Sequence, residues 1–459
     1  MKHRVSCILL LIALLAASCG EAAASPDTTA APADTTAAST ETERLTVDVT
    51  GIDYGGYKFR MVGYDNETSN GWTGIPSDLD VETETGDIPS DAVWARNIAV
   101  EEALNIEISC EVRASTAMTD TLRQSVMAGS NDFDAAFPAQ TQLSAMVTGD
   151  YVIDLATVDA FDFSMPWWNK TAIDAMTLYG QTIGAISDIT YFDKLSTYVT
   201  FYNQQIADEY QLGNLYELVD SGKWTLDKML EMGELVSADI NADGNWGKED
   251  SYGVSCQNDG AYILLHAAGC TVAEPDKDGG LEYVLDDAQT VDVLQTIYGL
   301  MTDKRRYFNR QDYSGMALEE VVEMFNNKRT LFLIRPVQSL FVMRNMQSDF
   351  GILPLPMVRE GQKEYHSAVN MYAGTFMCLP KSIEDPERSG TVLSLMACES
   401  HYGVMGPLYE TVLGNKLLRD ELSAKMLDLA FDGAVLDTGL LWNLGGIRDT
   451  MIKYKSTDV

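Results

Sequence analysis

The stretch between residues 179 and 229 constrains the fold more than any other part of the 459-residue sequence. Residues 181–186 are small and apolar, and residues 198–202 (YVTFY) are β-branched and aromatic, which predicts two buried strands around an irregular loop. A helix is predicted to begin at Asn203, and Thr225 is placed to cap another helix over residues 226–238. The predicted order is therefore strand, loop, strand and then two helices.

This order resembles the segment of extracellular solute-binding proteins, the maltose-binding-like family 1 group, where the chain crosses from its first lobe to its second. The residues that carry the resemblance are Tyr179-Gly180-Gln181, Tyr202-Asn203 and Lys223-Trp224-Thr225. Residues 349–356 (DFGILPLP) resemble the family's return strand into the first lobe. The resemblance implies an α/β, two-lobed periplasmic-binding-protein-like fold of type II, with a hinge and an interlobe cleft.

Hydrophobic periodicity in the flanking regions is typical of the same fold class. Alternation in LTVDV (45–49) and YKFRMVGY (57–64) predicts a first strand pair or β-entry. The β-α-β-α-β alternation that continues to residue 139 predicts an α/β lobe with a mainly parallel sheet, in which ligands lie beyond the carboxyl ends of the strands. Further elements are expected as helices over 261–269, 290–303 and 317–328 and as a strand over 330–335.

Each predicted lobe draws on two parts of the chain. We expect lobe 1 to contain residues 46–186 and 351–400, and the helix-rich lobe 2 to contain residues 187–350 and 401–459. The resemblance implies hinges near residues 185–190 and 350–355, about which the two lobes close around a ligand.

The N-terminus has the features of an export signal. Residues 1–18 place two basic residues ahead of an apolar core that is too short to span a bilayer. Residues 15–19 (LAASC) resemble a lipobox, which implies a lipoprotein signal peptide, an acylated Cys19 and a lipid-anchored protein on the extracellular face of the cell membrane. Cleavage by signal peptidase I near residues 22–24 is the alternative. Residues 19–45 lack periodicity, so we predict a flexible tether.

Composition and motifs narrow the class of protein. A formal charge of −36 argues against nucleic acid, because phosphate binding needs clustered Lys and Arg. Cysteines 110, 256, 270, 378 and 398, which remain beyond the signal and the lipobox, form neither a disulfide framework nor a zinc motif. GxSxG, HExxH and P-loop motifs are missing from the sequence, so we predict a binding protein and not an enzyme. A surface glycan hydrolase stays open, because counting 68 acidic residues cannot exclude a catalytic carboxylate pair.

A twelve-residue loop over 239–250 matches the EF-hand pattern of calcium ligands. Oxygen-bearing side chains stand at its first, third and fifth positions, Gly244 stands at the sixth for the sharp turn, and a carboxylate closes the loop. The candidate metal ligands are Asp239, Asn241, Asp243, Asn245 and Asp250. The last of these is Asp where the pattern has Glu, and its shorter side chain would bind Ca²⁺ more weakly. The loop is therefore interpreted either as a structural Ca²⁺ site or as an Asx-rich turn.

The resemblance implies an oligosaccharide or another carbohydrate as the cargo, because such ligands are common in the family. Aromatic residues are available for it, since sugars lay apolar ring faces on aromatic side chains while polar groups bond their hydroxyls. The resemblance places Trp442 and Tyr262 where relatives have aromatic residues. The candidate ligand-binding residues are Tyr64, Trp72, Gln140, Thr141, Tyr191, Asp193, Tyr262, Arg335 and Trp442. A peptide, polyamine or lipid-derived solute is the alternative cargo. The resemblance also implies the permease subunits of an ABC importer as partners, and we expect a monomer.

Overall fold

The computed structural model describes residues 44–65, 77–413 and 421–453. Its strands, in chain order, are β1 (Tyr57–Tyr64), β2 (Ile106–Arg113), β3 (Ala135–Phe137), β4 (Thr177–Leu178), β5 (Gln181–Thr182), β6 (Tyr198–Asn203), β7 (Tyr252–Cys256), β8 (Ala273–Pro275), β9 (Leu281–Tyr283), β10 (Tyr307–Asn309), β11 (Thr330–Pro336), β12 (Phe350–Leu353), β13 (Ser367–Ala368) and β14 (Ala434–Val435). Most of these strands belong to one of two main sheets, a three-stranded and a five-stranded one.

Helices connect and cover the sheets. In chain order they are α1 (Ile88–Leu104), α2 (Ser115–Ala128), α3 (Leu143–Thr148), α4 (Lys170–Ala175), α5 (Phe192–Leu195), α6 (Gln204–Glu209), α7 (Leu215–Asp220), α8 (Leu226–Val236), α9 (Gly260–Ala267), α10 (Ala288–Thr302), α11 (Leu318–Asn326), α12 (Ser339–Met343), α13 (Pro386–Gly403), α14 (Met405–Leu413), α15 (Glu421–Asp432), α16 (Thr438–Leu441) and α17 (Ile447–Lys453). Short 3₁₀ turns occupy Gln140–Gln142, Leu155–Thr157, Arg310–Asp312 and Leu444–Gly446.

The first sheet is parallel, with strand order β2-β1-β3. Parallel neighbours need a crossover, and α1 and α2 supply the two connections. Helix α1 begins where it does because the Asp87 carboxylate accepts the backbone N–H of Ser90 at 3.2 Å, while Pro89 fits the first turn, which needs no N–H donor. The predicted α/β lobe with a parallel sheet is confirmed here.

The second sheet has the strand order β10-β7-β11-β6-β12. Strand β6 is antiparallel to both of its neighbours, β11 and β12, whereas β10 and β11 run parallel to β7. Every residue of β6, β7, β11 and β12 is buried, which explains why none of these strands shows an alternation of apolar and polar residues. Aromatic rings such as Phe201, Phe325 and Phe350 fill the core on one side of this sheet.

Each sheet contains a segment that reaches it from the other part of the molecule. In the first, antiparallel bridges join Ala136 to Cys378 and Ala185 to Met377, so the segment around Met377 lies between β3 and the segment around Ala185. In the second, β6 arrives from the first lobe and lies between β11 and β12. This exchange is the architecture of a two-lobed α/β fold.

The helix starts around the first crossing agree with the sequence. Asn203 accepts the N–H of Ile206 at 3.1 Å and caps α6, and Thr225 accepts the N–H of Lys228 at 3.2 Å and caps α8. Strand β6 lies where the YVTFY run predicted it. The predicted strand over 181–186 is shorter, because β5 ends at Thr182 and a single bridge at Ala185 follows.

Two predictions about strands are wrong. Residues 349–356 do not return to the first lobe, since β12 pairs along β6 in the second sheet, and the chain reaches the first sheet only near Met377. The chain therefore crosses back later than the expected 350–355, in the segment between Val369, which bridges Thr197, and Met377. Residues 45–49 pair with no strand among the described residues; Val47 and Val49 pack on the first-lobe core instead. Their alternation reflects one buried face and not a β-ladder.

Candidate functional site

A polar cavity lies at the carboxyl ends of the second sheet. Strands β7, β10 and β11 end beside it, and a loop that follows β13 lies across from them. The cavity has a volume of about 290 Å³ and is lined by Gln257, Asp259, Arg310, Gln311, Arg335, Asn370, Tyr372 and Ile452. Ligands of open α/β sheets bind at this end of the strands, and the volume is near the lower limit of about 300–1,000 Å³ for small-molecule sites.

Gln257, Asp259 and Arg335 are fixed by one hydrogen-bond network in this cavity. Gln257 Nε2 donates to Asp259 Oδ2 at 2.6 Å, and Tyr198 Oη donates to the same oxygen at 3.2 Å. Arg335 Nη1 donates to Gln257 Oε1, so the amide lies between the carboxylate and the guanidinium. Burial raises the pKa of the Asp259 carboxyl and lowers the pKa of the Arg335 guanidinium. The network holds the polar groups in fixed positions before any solute arrives.

Arg310 is the second guanidinium of the cavity. It follows the end of β10, and its Nη1 donates to the carbonyl oxygen of Met316 at 2.8 Å. Its Nε atom is buried and has no hydrogen-bond partner among the described residues. Because a guanidinium carries five N–H donors, this side chain keeps hydrogen-bonding capacity for a solute.

The first lobe contacts the cavity through Tyr372. Tyr64, at the end of β1, donates from Oη to the carbonyl oxygen of Tyr372 at 2.8 Å. Arg448 places its guanidinium 6.0 Å from the centre of the Tyr372 ring and donates to the carbonyl oxygen of Thr141 at 3.3 Å. Burial raises the pKa of Tyr372 to about 12, so the phenol is neutral and can both donate and accept. Residues from both lobes therefore meet at one aromatic ring.

Four of the sequence-predicted residues are thus brought together. Arg335 lines the cavity, Tyr64 and Thr141 support it from the first lobe, and Tyr262 lies behind it, where its ring centre is 6.4 Å from that of Tyr198. Tyr262 is completely buried, so it packs against the hydrogen-bond network and offers no surface for stacking.

Gln140 and Asp193 line a different cavity. It measures about 180 Å³ and is formed by the segments that cross between the lobes, with Thr197, Val369 and Ala434 in its wall. Val369 faces this cavity whereas its neighbour Asn370 faces the first one, because side chains alternate along an extended segment. The cavity with Gln140 and Asp193 therefore lies on the opposite side of the crossing segments.

The polar groups of this second cavity are buried. Gln140 is 0% exposed and both its amide atoms lack partners within the described chain, as does Asp193 Oδ1. Burial raises the pKa of Asp193 to about 6. Burial opposes the charge of Lys194, but the carboxylates of Asp193 and Asp188 outweigh it and raise the pKa of that ammonium.

The remaining candidate residues lie elsewhere. Tyr191 is completely buried in the second-lobe core, and its backbone N–H binds the Asp78 carboxylate at 3.2 Å. Trp442 is 8% exposed and its indole Nε1 donates to the carbonyl oxygen of Ala175 at 3.1 Å. Trp72 and Cys19 lie outside the described residues. The structure therefore does not bring Tyr191 or Trp442 to either cavity wall.

The loop predicted to bind calcium is closed by its own hydrogen bonds. Asp239 accepts the N–H of Gly244 at 2.9 Å, and Asp243 accepts the N–H of Asn245 at 2.7 Å. Asn241 accepts the N–H of Asp243 at 3.0 Å. Gly244 has a φ of 76°, as the sharp turn at the sixth position requires.

Asp250, the last residue of this loop, binds the backbone of two earlier loop residues. It is 1% exposed and accepts the backbone N–H groups of Ile240 at 3.0 Å and of Gly247 at 2.7 Å. Within the described ranges no group of three or more His, Cys, Asp or Glu side chains is arranged to hold a metal ion. Asp239 Oδ1 is buried without a partner, so an oxygen is left for a cation. Calcium binding stays a prediction.

Sequence reasoning missed most of the cavity wall. Gln257 and Asp259 follow β7, and Arg310 and Gln311 follow β10, yet neither YGVSC nor YFN was recognised as a strand. Their β-branched and aromatic residues are the signal that could have identified them, because polar residues after a strand mark the ligand-binding edge of such a sheet.

Comparison with known proteins identifies relatives of the fold. Residues 97–398 match the family model described as bacterial extracellular solute-binding protein. A comparison with curated proteins finds no significant match. Within the described residues, no helix is both long and apolar enough to cross a membrane.

Several solved structures share the architecture. The ABC substrate-binding protein Lmo0181 of Listeria monocytogenes, in complex with cycloalternan, is 14% identical with a TM-score of 0.56, over 87% of this chain and 95% of that chain. The cyclic α-maltosyl-1,6-maltose binding protein of Arthrobacter globiformis is 11% identical with a TM-score of 0.56, over 88% and 95%. The GacH receptor of Streptomyces glaucescens, solved unliganded and with acarbose, is 11% identical with a TM-score of 0.55, over 86% and 91%. At this identity the likeness is one of fold.

Proposed function

The chain belongs to the bacterial extracellular solute-binding protein family, and we propose that it captures a carbohydrate for an ABC importer in the polar cavity of the second sheet. The observation that carries the proposal is the network of Gln257, Asp259 and Arg335 at the strand ends, with Tyr372 opposite. Fixed amide, carboxylate and guanidinium groups bond hydroxyls, and an aromatic ring packs on the apolar face of a sugar.

The cavity also fits capture between two lobes. Tyr372 lies on a segment that crosses between the lobes; Tyr64 of the first lobe donates to its carbonyl oxygen, and the guanidinium of Arg448 lies near its ring. In proteins of this architecture the two lobes close around a ligand. A few hinge residues in the crossing segments take up the change in φ and ψ, so each lobe moves as a rigid body. The named similar structures were solved with, or are named for, sugars, which favours carbohydrate over peptide, polyamine or lipid-derived cargo.

The test is a thermal-shift screen of the purified protein against glycans, amino acids, peptides and polyamines, followed by calorimetric titration of each hit. A ligand at 100 times its Kd adds about 2.7 kcal/mol of stability, which a melting curve detects. Tyr372→Ala should weaken glycan binding at least about thirtyfold, since truncating a central aromatic contact costs about 2 kcal/mol or more. Tyr210→Ala is the matched control, because that ring is 45% exposed and distant in sequence from the cavity residues.

Two outcomes would contradict the proposal. Stabilisation by peptides or polyamines with none by glycans would identify another cargo. Cleavage of a bound oligosaccharide, seen by chromatography of the recovered ligand, would favour the surface glycan hydrolase, because a binding protein returns its ligand intact.

We also propose that the exported protein is tethered through lipid on Cys19 and acts as a monomer beside the permease subunits of its importer. The lipobox-like LAASC sequence supports the anchor, and the family supports export. Radiolabelled palmitate incorporated into wild type and not into Cys19→Ala would be the expected result, and light scattering of the soluble domain should give the mass of one chain.

A further inference from the structure

We propose that the solute is an anionic saccharide, whose carboxylate or sulfate group is held between Arg310 and Arg335. This inference rests on the proposed carbohydrate-binding function and specifies the substrate class of the same cavity. The two residues follow or end strands that flank β7, so their guanidinium groups approach the cavity from both sides of Gln257.

The charges that line the cavity are unbalanced. Two guanidiniums and one carboxylate, that of Asp259, face the same space of about 290 Å³. Asp259 accepts hydrogen bonds from Gln257 and Tyr198, and Arg335 donates to the amide oxygen of Gln257, so the count of lining charges is one more positive than negative. The wall therefore keeps an excess positive charge that a monoanionic solute neutralises.

Burial makes this excess costly in the empty site. Arg335 is 4% exposed, and burial lowers the pKa of its guanidinium; the nearby charge of Arg310 acts in the same direction, while Tyr198 opposes both. Like charges in a poorly hydrated space repel each other more strongly than in water. An anion between them converts that repulsion into two charge-assisted contacts, and guanidinium forks match the geometry of carboxylate and sulfate.

Arg310 has the atoms needed for this contact. Arg310 Nη1 donates to the carbonyl oxygen of Met316, whereas Nε is buried without a hydrogen-bond partner among the described residues. A buried N–H without a hydrogen-bond partner is destabilising, so a ligand oxygen at this position satisfies the donor as well as pairing with the charge.

The positive wall also contrasts with the rest of the molecule. The full sequence carries a formal charge of −36, so a site with excess positive charge is not a consequence of composition. Arg448, nearby at Tyr372, has its own partner in Asp449 at 3.8 Å and does not alter the balance. The excess is therefore local to the two arginines.

The experiment compares sugars that differ only in the charged group. Calorimetric titrations pair D-galacturonate with D-galactose and D-glucuronate with D-glucose, each as monosaccharide and short oligomer, and add glucose 6-sulfate as the sulfate arm. We expect at least one acidic member to bind tenfold or more tightly than its neutral partner, a difference of about 1.4 kcal/mol. Preferential binding of the uronates alone would identify the anionic group as a carboxylate, and preferential binding of glucose 6-sulfate alone would identify it as a sulfate. Either result supports the proposal. Acetate and inorganic sulfate report whether the anion suffices without the sugar.

Variants then assign the preference to the arginines. In Arg310→Gln the acidic sugar and its neutral partner should bind with Kd values within threefold of each other, which brings the acidic-to-neutral ratio of affinities close to one. The Kd of the neutral sugar should stay at its wild-type value. Arg306→Gln is the control, since this arginine is 43% exposed and pairs with Glu234 outside the cavity. Melting curves of both variants report folding, and Arg335→Lys, which keeps the charge but loses the fork, should lower the ratio less than Arg310→Gln does.

Three results overturn the proposal. Neutral sugars that bind as well as their acidic partners, or better, would refute it and leave the carbohydrate function intact. An unchanged ratio in Arg310→Gln would refute the assignment to this residue. A panel in which no acidic member binds overturns it as well, and if peptides or polyamines then bind, the carbohydrate function fails with it.

Discussion

Trp442 allows a direct test of whether a tryptophan stabilises the fold or binds the solute. Its indole is 8% exposed, lies in the hydrophobic core, and donates Nε1–H to the carbonyl oxygen of Ala175 at 3.1 Å. Ala175 ends α4, ahead of the first crossing, whereas Trp442 directly follows α16 near the end of the described chain. The side chain therefore joins distant parts of the chain, and we expect it to stabilise the fold and not to stack on the solute.

The structure sets the expected magnitudes. Trp442→Ala removes a buried indole and should cost about 3–5 kcal/mol of unfolding free energy, as large-to-small core substitutions do. Trp442→Phe keeps most of the apolar volume but leaves the Ala175 carbonyl without its donor, so it should cost about 1–3 kcal/mol. In both variants the Kd for the solute should stay within threefold of wild type, because the indole lies outside the wall of the polar cavity.

The assay pairs urea unfolding, followed by far-ultraviolet circular dichroism, with calorimetric titration of the solute. The phenylalanine variant separates the ring from the N–H. The reasoning fails if Trp442→Ala has the same urea midpoint as wild type and binds the solute thirtyfold or more weakly, a loss of about 2 kcal/mol. That result would show that the indole contacts the ligand, as the sequence predicted.

Three further expectations follow. Chelator should lower the melting temperature if the 239–250 loop holds Ca²⁺, with calcium restoring it in wild type but not in Asp243→Ala; elemental analysis that finds no metal, with no chelator effect, would make the loop an ordinary turn. Cys19→Ala should release the protein into the medium, and unchanged membrane retention would contradict the lipid anchor. Burial raises the pKa of the Asp193 carboxyl from its ordinary value near 3.8 to about 6, so the folded state binds more protons than the unfolded state between those two pH values. Wild-type stability should therefore fall by about 2 kcal/mol relative to Asp193→Asn as the pH rises from 4 to 6. Parallel pH profiles of the two proteins in urea unfolding would refute this.

The fold was predictable where local signals decide it. Asn203 and Thr225 cap helices through bonds to residues three positions away, so sequence alone places them. The long apolar run of β11 was equally clear. The destination of β12 was not, because FGIL is compatible with either sheet and its pairing with β6 depends on residues far away in the sequence.

The candidate site was only partly predictable for a related reason. Arg335 was found because it ends an obvious strand, whereas Gln257 and Arg310 follow strands of five and three residues that lack a clear pattern. Gln140 does follow a strand, but its side chain points to the other face of the crossing segments. Which of two faces a residue near a crossing occupies is set by tertiary geometry, and one sequence contains no direct signal for it.

The segment around Met377 has a consequence for how the molecule is made. The first sheet begins with β1 at Tyr57, yet its bridges to Cys378 and Met377 must wait until the whole second sheet has been synthesised. Contacts so distant in sequence slow folding, because the intervening chain must lose its freedom before they form. The first sheet of this topology therefore cannot be completed until residues up to Cys378 have emerged from the ribosome. The two sheets are coupled in this way, because the chain that completes the first sheet lies beyond the last strand of the second.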